Sequence, residues 1–393
     1  MQKVRILKVL AVMGIILLLL PTNLMAERIP VAILRTNADG KTKTLTFTYA
    51  ERPKVFARRG QNGIHRLNKG MFKDEAEHYK NFYITEDQPT WLDMKSVCDL
   101  NYANNDKITT VKFDKSFSMA RPTSTFCWFW GLRKLKTIIG IENLNTSEVK
   151  YMNSMFSECC SLTELDVSGF NTANVENMGG MFEGCSQLKT IDVSGFNTAN
   201  VEDMSFMFDG CSQLKTLDIS GFNTANVDDM GGMFSGCSQL ESIDVSGFNT
   251  ANVPTMYCMF RGCHNLKSID ISSFNIGKLV SKVYGINDIW NEEEKRELLH
   301  QWVDDIFSGC SNLRTLNIGG NDFSIFTTYN ADIPGDVFKG VGTIDSPCRL
   351  IVNQQFDQSV LGPKHDNGNG GFYRWLNGYF TLDTARPESE TNY

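Results

Sequence analysis

The residues best suited to chemistry are five aspartates that recur exactly once per 26 residues. They are Asp166, Asp192, Asp218, Asp244 and Asp270, called here the Asp column. Carboxylates in register could dock a basic protein surface, or they could bind Ca²⁺, which prefers several oxygen ligands. They could equally form a solvated ladder that neighbouring hydroxyl side chains support by hydrogen bonds. The sequence leaves these interpretations open, with Ca²⁺ binding undecided.

The chain shows none of the residue patterns that are typical of an active site. Its five histidines are scattered and lack the spacing of metal ligands; they are His65, His78, His264, His300 and His365. No nucleophile elbow, phosphate-binding loop or zinc-protease motif occurs. Serine and aspartate follow a repeat rather than a unique site. We therefore expect no catalytic residue, cofactor or metal centre, and an enzyme that uses residues 27–104 is the least favoured alternative.

The Asp column belongs to a repeated unit, which from Met181 reads MFEGCSQLKTIDVSGFNTANVEDMSF. Five copies share a Met-Phe dipeptide, and a cysteine follows each dipeptide at the same phase. Ile191 and Val193 alternate with polar residues, which predicts a short strand. Val201, Met204 and Met207 are spaced by three residues, which predicts a short helix, with Asn200 as its N-cap.

One strand and one helix cannot bury both apolar faces alone, whereas stacked copies can. We therefore predict an α/β repeat solenoid over residues 105–352, with parallel strands on a concave face and short helices on a convex face. The Asp column would then lie on the concave face. The unit restarts at Phe307 after a helical insertion at about 277–306. There Trp290 and Trp302 either pack on the array or form a second contact site.

Both ends of the chain differ from the repeats. Residues 1–26 resemble a signal peptide, because a basic start precedes the apolar run Val9–Leu20, which is too short to span a bilayer. We expect an exported chain with no transmembrane span in its mature form. Residues 27–104 predict an N-terminal cap with a β-hairpin from Val31–Arg35 and Lys43–Tyr49. Residues 353–393 predict a C-terminal cap and tail.

The net charge and the cysteine content limit the classes of partner and the state of the thiols that we expect. The net charge of −7 argues against a nucleic-acid-binding surface. The chain has eleven cysteines, and six of them share one phase of the repeat among apolar residues. Small buried thiols pack well at such positions, so we expect free thiols there. The disulfide status of Cys159, Cys160, Cys258 and Cys263 stays open.

The repeats at about residues 105–320 resemble the BspA-type leucine-rich repeat of bacterial surface proteins, also known as a mycoplasma-lipoprotein-type repeat. Ala120–Thr125 and Gly140–Ser147 look like the entry segment of that family. The resemblance implies a secreted or cell-surface protein that acts as an adhesin or interaction scaffold, with proteins as partners and no catalytic residues. A glycan-binding surface protein is the alternative. It would need aromatic platforms, which only Trp290, Trp302 and the N-terminal region could supply, because the Phe and Met positions of the repeat point inward by phase.

Overall fold

A computed structural model describes residues 28–51, 83–86, 106–254, 256–275, 305–321 and 337–354. Between 356 and 384 it describes all residues except 362, 367, 369, 370, 376 and 377. The predicted signal peptide lies outside the described residues, and so do Trp290 and Trp302 of the predicted insertion. No helix among the described residues is long and apolar enough to cross a membrane.

Five strands form an N-terminal sheet in the order β3-β1-β2-β4-β5. They are β1 (Arg28–Thr36), β2 (Lys43–Glu51), β3 (Tyr83–Glu86), β4 (Ile108–Phe113) and β5 (Thr137–Ile139). Strands β1 and β2 form an antiparallel hairpin at the place where the sequence predicts one. The other pairs, β1–β3, β2–β4 and β4–β5, are parallel. The hairpin therefore pairs directly with the first strand of the predicted array.

Six strands form a C-terminal sheet in the order β6-β7-β8-β11-β10-β9. They are β6 (Ser268–Asp270), β7 (Thr315–Gly319), β8 (Cys348–Val352), β9 (Lys364–His365), β10 (Phe372–Trp375) and β11 (Gly378–Thr384). The pairs β6–β7, β7–β8 and β8–β11 are parallel. Parallel strands in sheets are therefore confirmed at the two ends of the predicted array. The strand predicted at Ile191 and Val193 is wrong, because residues 190–194 form no backbone hydrogen bonds to the neighbouring described copies. Strands β6 and β7 are neighbours although the predicted insertion separates them in sequence.

The short helix predicted in each repeat is wrong, because the structure shows turns there. The backbone N–H of Met181 donates to the Met178 carbonyl, and that of Cys185 donates to the Phe182 carbonyl, both at 3.1 Å. The third residue of each turn is a glycine, Gly180 or Gly184, with φ of +60° and +67°. An α-helix excludes such angles, whereas type II turns require them at this position. The described helical segments are short 3-10 helices at Lys115–Met119, Ile141–Asn143 and Gln358–Leu361.

The backbone hydrogen bonds between copies run through this turn-forming half of the unit. Alternate N–H groups from Met178 to Gly184 donate to alternate carbonyls from Asp203 to Asp209 in the next copy, at 2.7–2.9 Å. Single parallel bridges join Asn177 to Asp203 and Asp203 to Asp229. The half predicted as a strand is joined less tightly, since Lys189 N lies 3.4 Å from Thr163 O. Neighbouring copies thus lie side by side in register.

The inward residues form continuous columns through the copies. One phenylalanine from each copy stacks on the next with ring centroids 5.3–5.9 Å apart. This Phe column contains Phe129, Phe156, Phe182, Phe208, Phe234, Phe260, Phe307 and Phe338. All eight side chains are fully buried. Phe307 rests directly on Phe260, so the column continues across the predicted insertion.

The cysteines of the repeat are free, buried thiols, as the sequence predicts. Each thiol donates to the carbonyl of a column phenylalanine in the preceding copy, at 3.1–3.2 Å. The six thiols are those of Cys159, Cys185, Cys211, Cys237, Cys263 and Cys310. Cys160, Cys258 and Cys348 are also free thiols. The recurring cysteine is therefore a small core residue whose weak donor faces a backbone acceptor.

The Asn-Thr-Ala-Asn segment joins copies through its side chains. Buried Thr198 donates its hydroxyl to the Asn223 carbonyl at 2.9 Å and accepts from the Asn223 N–H at 2.7 Å. The amide of Asn200 donates to the Ala173 carbonyl of the preceding copy at 2.8 Å. The prediction that Asn200 caps a helix is thus corrected, since this side chain bridges two copies.

Candidate functional site

The Asp column is exposed, and serine side chains fix the orientation of its carboxylates. Asp192 Oδ1 accepts from the N–H of Ser194 at 3.0 Å and from its hydroxyl at 2.6 Å. The same pair of bonds recurs at Asp166, Asp218 and Asp244. At the end of the column, Asp270 Oδ2 accepts from the amide of Asn317 at 2.8 Å. The hydroxyl support that the sequence suggests is therefore present, and it engages Oδ1 of the first four members.

The serine bonds also favour the charged form of four carboxyls of the column. The hydroxyl bond, followed by the backbone N–H bond, holds the pKa of each of four carboxyls below its usual value. These are Asp166, Asp192, Asp218 and Asp244. Among the described residues, no lysine or arginine forms an ion pair with any member of the column. The column is thus a row of exposed carboxylates, four of them with lowered pKa values, and the described residues give it no ion-pair partner.

No group of three or more His, Cys, Asp or Glu side chains that could hold a metal ion occurs in the described part of the chain. Trp290 and Trp302, the second contact site considered from the sequence, lie outside that part.

A second acidic group, in the turn-forming half of the unit, is one that sequence reasoning missed. Asp229 Oδ1 accepts from the Gly231 N–H at 2.8 Å, while Asp203 Oδ2 accepts from the amide of Asn177 at 2.9 Å. Partial burial, with help from the Asp203 charge, raises the pKa of Asp229 to about 6. Burial likewise raises the pKa of Asp209. The available signal was their spacing, since Asp203 and Asp229 lie 26 residues apart at the same phase of neighbouring copies.

An aromatic pair lies beside this acidic group. The rings of Phe206 and Tyr257 have centroids 5.7 Å apart and meet edge to face at 69°. Both side chains are half-buried. They lie against Gly231 and Gly232, where an added Cβ would collide with the two rings. Comparing the copies reveals the signal, because Phe206 replaces a glycine found at Gly180 and Gly232, and Tyr257 replaces Gly231.

A shallow polar groove is lined by residues from four neighbouring copies. They are Lys150, Asn174, Glu176, Asn200, Glu202 and Asn226. Lys150 and Glu176 form an ion pair at 2.6 Å, which raises the pKa of the lysine. The asparagine amides of the groove donate to backbone carbonyls of the preceding copy. The three asparagines and the Lys150–Glu176 ion pair thus hold the copies together.

Comparison with known proteins links the repeats to one family. A family model described as "Mycoplasma protein of unknown function, DUF285" matches residues 127–215 and 184–302. The matched residues are similar to that family, which is of the BspA-like, mycoplasma repeat type that the sequence resembles. No curated protein and no solved structure is significantly similar to the chain. The match covers the copies that carry the Asp column.

Proposed function

We propose that this chain is an exported, non-enzymatic protein of the bacterial cell surface that binds other proteins through its Asp column. The observation that carries the proposal is the row of five exposed carboxylates, which have no ion-pair partner among the described residues and four of which have lowered pKa values. Export is supported by the signal-peptide pattern of residues 1–26. The similarity of residues 127–302 to a mycoplasma repeat family supports a bacterial surface protein.

The proposal includes a leucine-rich-repeat-type solenoid over residues 105–352. It is supported by the hydrogen bonds between copies and by the unbroken Phe column. Solenoids commonly bind partners along an extended concave surface. We place the Asp column on that surface, where a partner could contact several copies at once.

A basic protein surface is the partner that fits this column best. Carboxylates in register create a negative field that steers a basic partner during encounter. The serine bonds hold the carboxylates in one orientation before binding, which lowers the entropy lost on association. Each column carboxylate from Asp166 to Asp244 uses Oδ1 for these bonds and leaves Oδ2 for a partner.

An array experiment tests the class of partner. The purified protein is applied to an array of extracellular-matrix and cell-surface proteins, and in parallel to a glycan array, at low and at physiological salt. We expect it to bind basic proteins, and to bind them more weakly as salt rises. Binding to glycans alone, without salt dependence, would contradict the proposal and favour the glycan-binding alternative.

A further inference from the structure

We infer that Phe206 and Tyr257, together with Asp203 and Asp229, form a second binding site that accepts a lysine or arginine side chain of a protein partner. The site lies in the turn-forming half of the unit and shares no residue with the Asp column. It therefore does not depend on the function proposed for that column.

The two aromatic residues are not needed to build the stack. Their phases are occupied by Gly180, Gly231 and Gly232 in other copies, which form the same turns and the same bonds to their neighbours. Phe206 moreover adopts φ of +55°, a conformation that a bulky residue takes up at a cost in free energy. Neither ring is fully buried, so burial does not offset this cost. A role in core packing therefore accounts poorly for them.

Two glycines support the rings of Phe206 and Tyr257. Tyr257 packs on Gly231, and Phe206 packs on Gly232. A larger residue in place of either glycine would displace the ring that packs on it. The edge-to-face contact between the rings fixes each against the other. The result is a positioned, half-exposed aromatic surface that spans the copies between residues 206 and 257.

The charge around this surface is negative. Burial raises the pKa of Tyr257, and the carboxylates of Asp229, Asp203 and Asp209 raise it further. Arg261 is a described cation that acts on this group: it lowers the pKa of Asp209 but also pairs with Asp305 at 3.5 Å. Three carboxylates thus act on Tyr257, and Asp229 among them is partly desolvated.

A cationic side chain matches both features at once. Aromatic faces attract ammonium and guanidinium groups, and this attraction is stronger where water is partly excluded. The carboxylates of Asp203 and Asp229 would accept charge-assisted hydrogen bonds from the same group. A neutral sugar could stack on the rings but would leave the negative charge uncompensated. A metal ion is disfavoured because the described residues here include no cluster of three ligands.

The test measures how tightly a hexalysine peptide binds to two sets of variants of the full chain. A hexaglutamine peptide is the neutral control. The first variant, Phe206→Gly with Tyr257→Gly, restores the glycines that other copies carry and so should preserve the turns. The second, Asp229→Asn, keeps an acceptor for the Gly231 N–H, as Asn177 does for Gly179 at 2.8 Å. Glu202→Gln is the matched control, since Glu202 is exposed and lines the polar groove.

Each variant is also made in a background in which Asp192, Asp218 and Asp244 are asparagine, so that binding to the Asp column does not mask the result. Fluorescence anisotropy should show hexalysine affinity falling about three- to thirtyfold in the double-glycine variant. It should also fall in Asp229→Asn, and change little in Glu202→Gln. Melting curves show whether each variant is folded, and Asp229→Asn decides the matter if the double variant is not.

Unchanged hexalysine affinity in folded double-glycine and Asp229→Asn variants would overturn the inference. It would also be overturned if a glycan array showed that the double variant loses binding to a neutral glycan while hexalysine binding stays the same. Because the background lacks three column charges, neither result bears on the function proposed for the Asp column.

Discussion

At the scale of single residues, two sets of described carboxylates have pKa values shifted in opposite directions. Serine donors stabilise the charged form in the Asp column, as at Asp192. Partial burial destabilises it at Asp229, in the turn-forming half. The lowered pKa values of the first group could be predicted, because the sequence shows a serine two residues after each aspartate. The second could not, because desolvation depends on how the neighbouring copies pack.

The raised pKa of Asp229 predicts a specific effect on stability. The folded state takes up a proton near pH 6, before the unfolded state does at about 4. The contribution of this group to the free energy of unfolding is therefore largest below pH 4. That contribution is lost as the pH rises through 6. Asp229→Asn should melt at a higher temperature than the wild type at pH 7, and the difference should shrink towards pH 4.

Melting curves between pH 4 and pH 8 check this prediction. Asp192→Asn serves as the comparison, because the pKa of Asp192 is lowered and its substitution should give no stabilisation of this kind. A melting temperature for Asp229→Asn that stays below the wild type at neutral pH would show that the carboxylate is not penalised by burial.

At the scale of the element, the sequence predicted which residues are buried. It did not predict the backbone conformation of the segments that contain them. Val201, Met204 and Met207 are fully buried, as their spacing predicted. The same spacing of three or four residues arises from consecutive turns, however, and here it does not indicate a helix. The overlooked signal was a glycine before five of the six core cysteines, as at Gly184 and Gly210, where φ is positive.

Replacing that glycine distinguishes turn from helix by the sign of the effect. In a helix, Gly210→Ala would stabilise the protein by about 1 kcal/mol. With φ of +69° and Gly184 Cα only 3.4 Å from the added Cβ, the substitution should instead destabilise it, by about 1–2 kcal/mol.

Gly247→Ala is the matched control. Gly247 does not have a positive φ, and an added Cβ there would meet nothing within 4 Å. Urea denaturation of both variants measures the free energy of unfolding. If Gly210→Ala were the more stable of the two, the assignment of this segment as turns would be untenable.

At the scale of the whole molecule, the proposed solenoid depends on the copies forming one continuous stack. Phe307 on Phe260 and strand β7 beside β6 show that the stack resumes after the predicted insertion. The sequence predicted this restart from the Phe-Ser-Gly-Cys motif at Phe307. It predicted nothing about the Phe206–Tyr257 pair, because that contact joins residues two copies apart and becomes visible only once the copies are stacked.

Small-angle X-ray scattering tests the proposed solenoid. A compact globular chain of this length would have a radius of gyration of about 21 Å. A stack of repeats with a cap at each end should give a larger value, with a pair-distance distribution skewed towards long distances. A symmetric distribution with a radius of gyration near that of a compact chain would argue against the solenoid.

The central claim is that the Asp column binds a basic partner, and the salt dependence of binding tests it most directly. A triple variant with asparagine at Asp192, Asp218 and Asp244 retains acceptors for the serine bonds while removing three charges. Isothermal calorimetry over a range of salt concentrations compares it with the wild type, using a basic protein identified on the array. The control replaces Glu176 and Glu202 with glutamine and Asp228 with asparagine, so that the same charge is removed elsewhere.

We predict that the Asp-column variant binds more weakly and loses most of its salt dependence, while its melting temperature holds or rises. The control should keep most of the wild-type affinity. Unchanged affinity and salt dependence in the Asp-column variant, or equal losses in the two variants, would contradict the claim.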